Sequence, residues 1–164
     1  MHELPSIRVM PAEAALRPLL LDLGVHINQR EHVGTITDML ADVAVCPDSE
    51  VMAIMHGDTP VGCYRLDGHA RGVAGRDLGQ PALGIRAFFI DAHWQERGMG
   101  TAALIALIAD AADRYREVRL LALSASVDNE VALRLYRRTG FIDAGELYHG
   151  GRPGPQHLWL RAMP

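Results

Sequence analysis

The stretch WQERGMGTAALIALIADAA (Trp94 to Ala112) sets Gly98 and Gly100 directly ahead of a long, alanine-rich apolar run. The preceding LGIRAFFID (Leu83 to Asp91) reads as a strand, so the glycines occupy the turn from a strand into a helix. The first turn of a helix leaves about four backbone N–H groups without an intrahelical acceptor, and its dipole favours negative charge there. Glycines at that point let an anion approach the main chain closely. The stretch therefore reads as a cradle for phosphate or pyrophosphate.

Two common phosphate motifs are excluded. A Walker loop needs Gly-Lys-Ser/Thr, and all sixteen basic residues of this chain are arginine. A dinucleotide fingerprint, G-x-G-x-x-G, needs a third glycine where Ala103 stands. It should also follow the first strand of a parallel sheet. Here the glycines come past mid-chain, after an antiparallel hairpin signal.

Working outward, SIRVM (Ser6 to Met10) is a short strand pattern. PAEAALRPLLLDLG predicts a helix from Pro11 to Gly24 with a distortion at Pro18, and a second helix falls within Ile27 to Val45, where Ile36, Met39, Leu40 and Val43 recur at helical spacing. EVMAIMHGDTPVGCYRL predicts a hairpin turning at Gly57 to Pro60. DGHARGVAGRDLGQ (Asp67 to Gln80) holds four glycines and reads as a mobile loop. After the glycine turn and its helix, VRLLALS (Val118 to Ser124) has the unbroken apolar pattern of a buried strand. DNEVALRLYRRTGF is an amphipathic helix capped by Asp128 or Asn129 and stopped by Gly140. FIDAGELY and QHLWLRA close the chain as strands around HGGRPGP. The order is β-α-α-β-β-β-α-β-α-β-β, an α+β arrangement in one domain spanning residues 1–164.

Bulk properties narrow the class. At 164 residues, 49% hydrophobic and 22% charged, the chain suits one globular domain. Its apolar runs are far shorter than the ~20 residues of a membrane span. MHELPSIRVMP has neither the basic nor the apolar segment of a signal peptide, so the expected location is the cytoplasm. A net charge of −4 with no basic patch argues against nucleic acid. Cys46 and Cys63 are expected to be reduced thiols, and the eight scattered histidines show no metal spacing.

Further motifs carry a family resemblance. QERGMG (Gln95 to Gly100) matches Q/R-x-x-G-x-G/A, and NEVALRLYRRTGF (Asn129 to Phe141) matches N-x-x-A-x-x-L-Y-x-x-x-G-F. With AFFID before the first motif and RLLALSAS between the two, the chain resembles the GCN5-related N-acetyltransferase (GNAT) family over about residues 84 to 141. The resemblance implies a mixed, mostly antiparallel sheet of about six to seven strands flanked by helices. It also implies acetyl-CoA as acetyl donor and no metal.

The resemblance assigns roles by position. Arg97, Gly98, Met99, Gly100 and Thr101 would bind the pyrophosphate of coenzyme A, chiefly through backbone N–H groups, with Gln95 and Glu96 at the rim. Phe88, Phe89 and Ile90 would pair their main chain with the pantetheine arm, besides contributing side chains to the core. Asn129, a helix cap on local grounds, would also hydrogen-bond that arm. Tyr136, otherwise a large apolar-face residue beside Leu133, would be the catalytic acid. A departing thiolate, whose thiol has a pKa near ~8.5, needs a proton in a dry site. The base is not assigned. Many relatives place a glutamate where this chain has Gly84, leaving a water chain, Glu50, His56, Glu146 or His149 as substitutes.

The implied reaction is direct acetyl transfer to a primary amine of a small molecule, without a covalent enzyme intermediate. Cys63, in a strand with no evident base, is a weak nucleophile candidate. The C-terminal motif resembles bacterial members acting on polyamines, and Asp38, Asp42, Asp48 and Glu50 could attract a cationic chain. Asp38 and Asp42 equally suit the solvated face of a helix. Amino acids, peptides and aminoglycosides are the other acceptors to weigh, and a non-catalytic acyl-CoA sensor is the rival function. A homodimer through the last strands is compatible with the fold.

Overall fold

A computed structural model describes residues 5–23, 36–95, 98–148 and 156–163. Seven strands form a single sheet: β1 (Arg8–Pro11), β2 (Ser49–His56), β3 (Thr59–Asp67), β4 (Ala82–Ile90), β5 (Leu120–Ser126), β6 (Ile142–Tyr148) and β7 (Gln156–Ala162). Their order across the sheet is β1-β2-β3-β4-β5-β7-β6. Every neighbouring pair is antiparallel except β4 and β5. Among the described residues five α-helices join them: α1 (Arg17–Leu21), α2 (Ile36–Ala44), α3 (Arg71–Ala74), α4 (Met99–Arg114) and α5 (Glu130–Arg138). The expected mixed, mostly antiparallel α+β sheet is therefore present.

Alternation along the strands sorts the core onto two faces. Met52, Ile54, Leu83, Ile85, Leu121, Leu123 and Trp159 lie beneath α4 and α5, meeting Ala103, Leu104, Leu107 and Tyr136. The intervening residues Val51, Ala53, Met55, Cys63 and Phe89 face the other way, under Leu20 of α1 and Met39 of α2. Burying each large aliphatic side chain contributes about 1.5–3 kcal/mol, so both faces specify the strand register.

Three local expectations need correction. The helix expected over Pro11 to Gly24 shortens to Arg17–Leu21, because Pro11 is taken into β1 opposite Met52. Pro18 falls in the first helical turn, where its missing N–H costs nothing, so it opens the helix instead of distorting it. The segment read as a mobile loop with little to pack carries α3. Ala70 and Val73 are buried against Ala82, Ala122 and Leu158 on the α1–α2 face. The glycine count hid two apolar residues at helical spacing. Residues 24–35, which hold the start of the second predicted helix, lie outside the described residues, as does the whole of the closing turn, residues 149–155.

Candidate active site

The parallel ladder between β4 and β5 is short. It joins Ala82 to Leu120, Leu83 to Leu121 and Gly84 to Ala122, and then stops. Both strands continue, β4 through Ile90 and β5 through Ser126, without pairing to each other. A gap opens between two central strands, bordered by main-chain edges able to pair with an extended, amide-bearing ligand.

The cause lies in β4. Cys63 pairs with Phe89 and Arg65 with Arg86, so Tyr64 alone opposes both Ala87 and Phe88. This is a β-bulge, which bends its strand and increases the local twist. Ala87 adopts φ +54°, the only left-handed non-glycine residue among the described residues. Holding that conformation costs about 1–2 kcal/mol, so the surrounding ladder and core must impose it. Beyond the bulge, Phe88 packs on the α4 face, 6.1 Å from the Tyr64 ring, while Phe89 joins the core under α1 and α2.

At the end of β4, Gln95 Nε2 donates to the Ile90 carbonyl at 2.6 Å. Gln95 therefore ties the strand end to the glycine turn. Gly98 caps α4 with φ +76°, a conformation that favours glycine. The first α4 hydrogen bond runs from Ala102 N–H to the Gly98 carbonyl, so the N–H groups of Met99, Gly100 and Thr101 have no acceptor within the helix. The bare Gly100 also serves helix packing. A Cβ there would lie 3.1 Å from Leu135 Cδ2, so its missing side chain lets α5 pack against the α4 N-terminus. Glu96 and Arg97 lie outside the described residues.

Asn129 caps α5, its Oδ1 accepting from Ala132 N–H at 3.4 Å, which leaves its amide NH₂ as a donor. Tyr136 is buried in the core on the face that carries α4 and α5, its ring 5.8 Å from that of Phe141. The α4 N-terminus follows the end of β4, and α5, capped by Asn129 and carrying the buried Tyr136, packs through Leu135 on Gly100 in the first turn of α4. That arrangement fits a ligand with an anionic end, an amide-containing arm and a reactive tip.

The base candidates fare differently. A Cβ on Gly84 would meet the His69 carbonyl oxygen at 2.9 Å and Val73 Cγ2 at 3.5 Å, so the α3 segment fills the space a glutamate would need. Glu50 accepts from Arg114 at 2.7 Å and from the Tyr115 hydroxyl at 3.0 Å, at the far end of α4. Burial, together with that carboxylate, raises the Tyr115 phenol above its ordinary value. His56 stacks edge-on against Trp94 at 5.4 Å. The Glu146 side chain and His149 lie outside the described residues.

The four carboxylates considered for a cationic chain do not converge. Glu50 belongs to the α4 face, and Asp42 pairs loosely with Arg65 at 3.8 Å across the sheet. Asp48 gives its carbonyl to Gly68 N–H, and Asp38 is exposed on α2. Sequence reasoning missed the buried network behind Asp42. There Asp67 Oδ1 accepts from Arg65 Nε at 2.7 Å and from Ser49 Oγ at 2.6 Å, and its Oδ2 lies 3.7 Å from Arg86. The signal available was alternation: Arg65 and Asp67 continue the face begun by Cys63, a buried face for which charged residues need partners. Among the described residues no group of three or more His, Cys, Asp or Glu could hold a metal ion, and no helix is long and apolar enough to cross a membrane.

Comparison with known proteins agrees with this geometry. Residues 21–141 match the family model described as the acetyltransferase (GNAT) family. A probable spermine N(1)-acetyltransferase of Bacillus subtilis subsp. natto is 32% identical over 154 residues, covering 89% of this chain and 94% of that relative. The solved spermidine N-acetyltransferase from Vibrio cholerae, in complex with CoA and spermine, has a TM-score of 0.69 at 12% identity, covering 96% of this chain and 95% of the other. An aminoglycoside N(6′)-acetyltransferase from Legionella pneumophila reaches a TM-score of 0.75 at 13% identity, covering 99% and 94%. At such identities the two structures speak to the fold.

Proposed function

The chain belongs to the acetyltransferase (GNAT) family, and from that premise we propose that it transfers the acetyl group of acetyl-CoA directly to a small primary amine. The observation that most supports this reading is the gap between β4 and β5, which opens after a three-residue ladder, with the end of β4 tied by Gln95 to the turn that leads into α4. Membership of an acetyltransferase family sets aside the non-catalytic sensor.

The residues divide the work by chemistry. The N–H groups of Gly98, Met99, Gly100 and Thr101, with Arg97, hold the pyrophosphate where the helix dipole favours it, and Glu96 borders that site. The main chain of Phe88, Phe89 and Ile90 pairs with the amides of the pantetheine arm, and Asn129 donates to it. Gln95 fixes the strand end against the cradle. The acceptor nitrogen attacks the thioester carbonyl as free amine; a C–N bond forms and the C–S bond breaks. Main-chain N–H groups of β4 stabilise the charge that develops on oxygen. Tyr136 gives its phenolic proton to the departing thiolate, and the acceptor's proton passes to water.

The acceptor class follows the relative's name more than the local charge: the curated relative is named for spermine, so polyamines head the acceptors to test. The reading takes residues 1–164 as one domain acting in the cytoplasm, with homodimerisation through the terminal strands tested by light scattering. The functional test is release of free CoA thiol from acetyl-CoA with spermine, spermidine, putrescine, amino acids and an aminoglycoside. Turnover with one amine class supports the proposal; tight binding of acetyl-CoA without turnover on any amine counts against it. Tyr136→Phe should lower kcat about 100-fold or more, the scale of general acid catalysis, with little change in acetyl-CoA affinity. Equal loss of both would make the hydroxyl a binding group.

A further inference from the structure

The α4 N-terminus is bordered by side-chain cations as well as by backbone donors. Arg138 Nη1 donates to Thr101 Oγ1 at 3.3 Å, reaching from α5 to the first turn of α4. Arg134 stands four residues earlier, on the same helical face. Between them Leu135 packs on Gly100, which fixes that face of α5 against the glycine turn. Both arginines are exposed, and among the described residues neither pairs with a carboxylate. Arg137, on the neighbouring stripe, is engaged elsewhere, over the Trp159 ring at 5.3 Å.

The proposed donor carries two separate phosphate groups, a pyrophosphate and a 3′-phosphomonoester on its ribose. Three adjacent N–H groups suit the pyrophosphate, which leaves the dianionic monoester needing donors of its own. Guanidinium groups present paired N–H bonds matched to phosphate oxygens. We propose that Arg134 and Arg138 hold the 3′-phosphate, so that this protein distinguishes coenzyme A from 3′-dephospho-coenzyme A. The proposal rests on acetyl-CoA being the donor. Arg138 is then a binding residue whose resting place on Thr101 Oγ1 keeps its guanidinium beside the cradle.

The test is calorimetric titration of the full chain with CoA and with 3′-dephospho-CoA. It compares wild type, the double variant Arg134→Ala/Arg138→Ala, and Arg116→Ala as a single-charge control beyond the opposite end of α4. At about 50 mM salt the wild type should bind CoA roughly tenfold more tightly than the dephospho form, and that preference should shrink as salt rises. The double variant should lose the preference while binding dephospho-CoA as the wild type does, and Arg116→Ala should keep it. Equal affinity of the wild type for both ligands, or a preference that survives the double substitution, overturns the assignment and leaves the acetyl-CoA reading intact. Binding of neither ligand by the wild type removes that reading and this inference together.

Discussion

Cys63, paired with Phe89 beside the β4 bulge, and Tyr136 of α5 lie in the cores on opposite faces of the sheet, and their surroundings differ. Cys63 is fully buried under α1 and α2, and desolvation pushes its thiol from 9.0 up to about 12. At pH 8 the thiolate fraction is then about one in ten thousand, too small for a nucleophile. Iodoacetamide at pH 8 should label the partly exposed Cys46 in the folded protein and leave Cys63 unmodified until urea unfolds the chain. Native labelling of Cys63, read by peptide mass spectrometry, would contradict its burial. The sign of the linkage also follows: the folded thiol holds its proton more tightly than the unfolded one. Its contribution to stability is complete below pH 9.0 and is lost as pH rises towards about 12. Tyr136, by contrast, is buried on the α4–α5 face with its ring 5.8 Å from that of Phe141, and the proposed mechanism uses its phenol as the proton donor.

Among the elements, the α3 segment shows how a loop can decide what a strand carries. Gly84 faces α3, and the His69 carbonyl stands where a Cβ would go. Gly84→Glu is therefore expected to cost about 1–3 kcal/mol by overpacking and to install no base. Urea unfolding and the pH dependence of kcat/KM check this together. A variant of unchanged stability with a new acidic limb would show that the segment yields and that the carboxylate can serve. The α4–α5 contact makes a related point, because Gly100 belongs to helix packing as much as to anion binding. The motif was legible in the sequence; the partner of its second glycine was not, since Leu135 lies thirty-five residues away in the chain.

Across the whole molecule, the Asp67 network joins α2, β2, β3 and β4 on the face opposite α4. Asp67 is 2% exposed, and Arg65, Ser49 and Arg86 surround its carboxylate. Removing one partner of a buried pair leaves the other charge desolvated, so Asp67→Ala should cost about 3–5 kcal/mol in urea unfolding. A loss under about 1 kcal/mol would mean that water reaches Arg65 and the network is peripheral. The network also places Arg86 on β4 one residue ahead of the left-handed Ala87, so its loss should disturb the bulge and with it the gap.

The sequence by itself determined the order of the strands and of every helix but α3, the glycine turn, the cap and tyrosine of α5 and the family, because these rest on local periodicity and short motifs whose physics is contained in a few residues. The shortened α1, the packed α3, the filled space at Gly84 and the ending of the β4–β5 ladder were decided only by the tertiary structure. Each depends on residues distant in the chain: Pro11 on Met52, Val73 on Leu158, Gly84 on His69 and Tyr64 on the bulge at Ala87 and Phe88. Pairing across a sheet is chosen by the burial of both partners at once, and a local pattern carries information about only one of them.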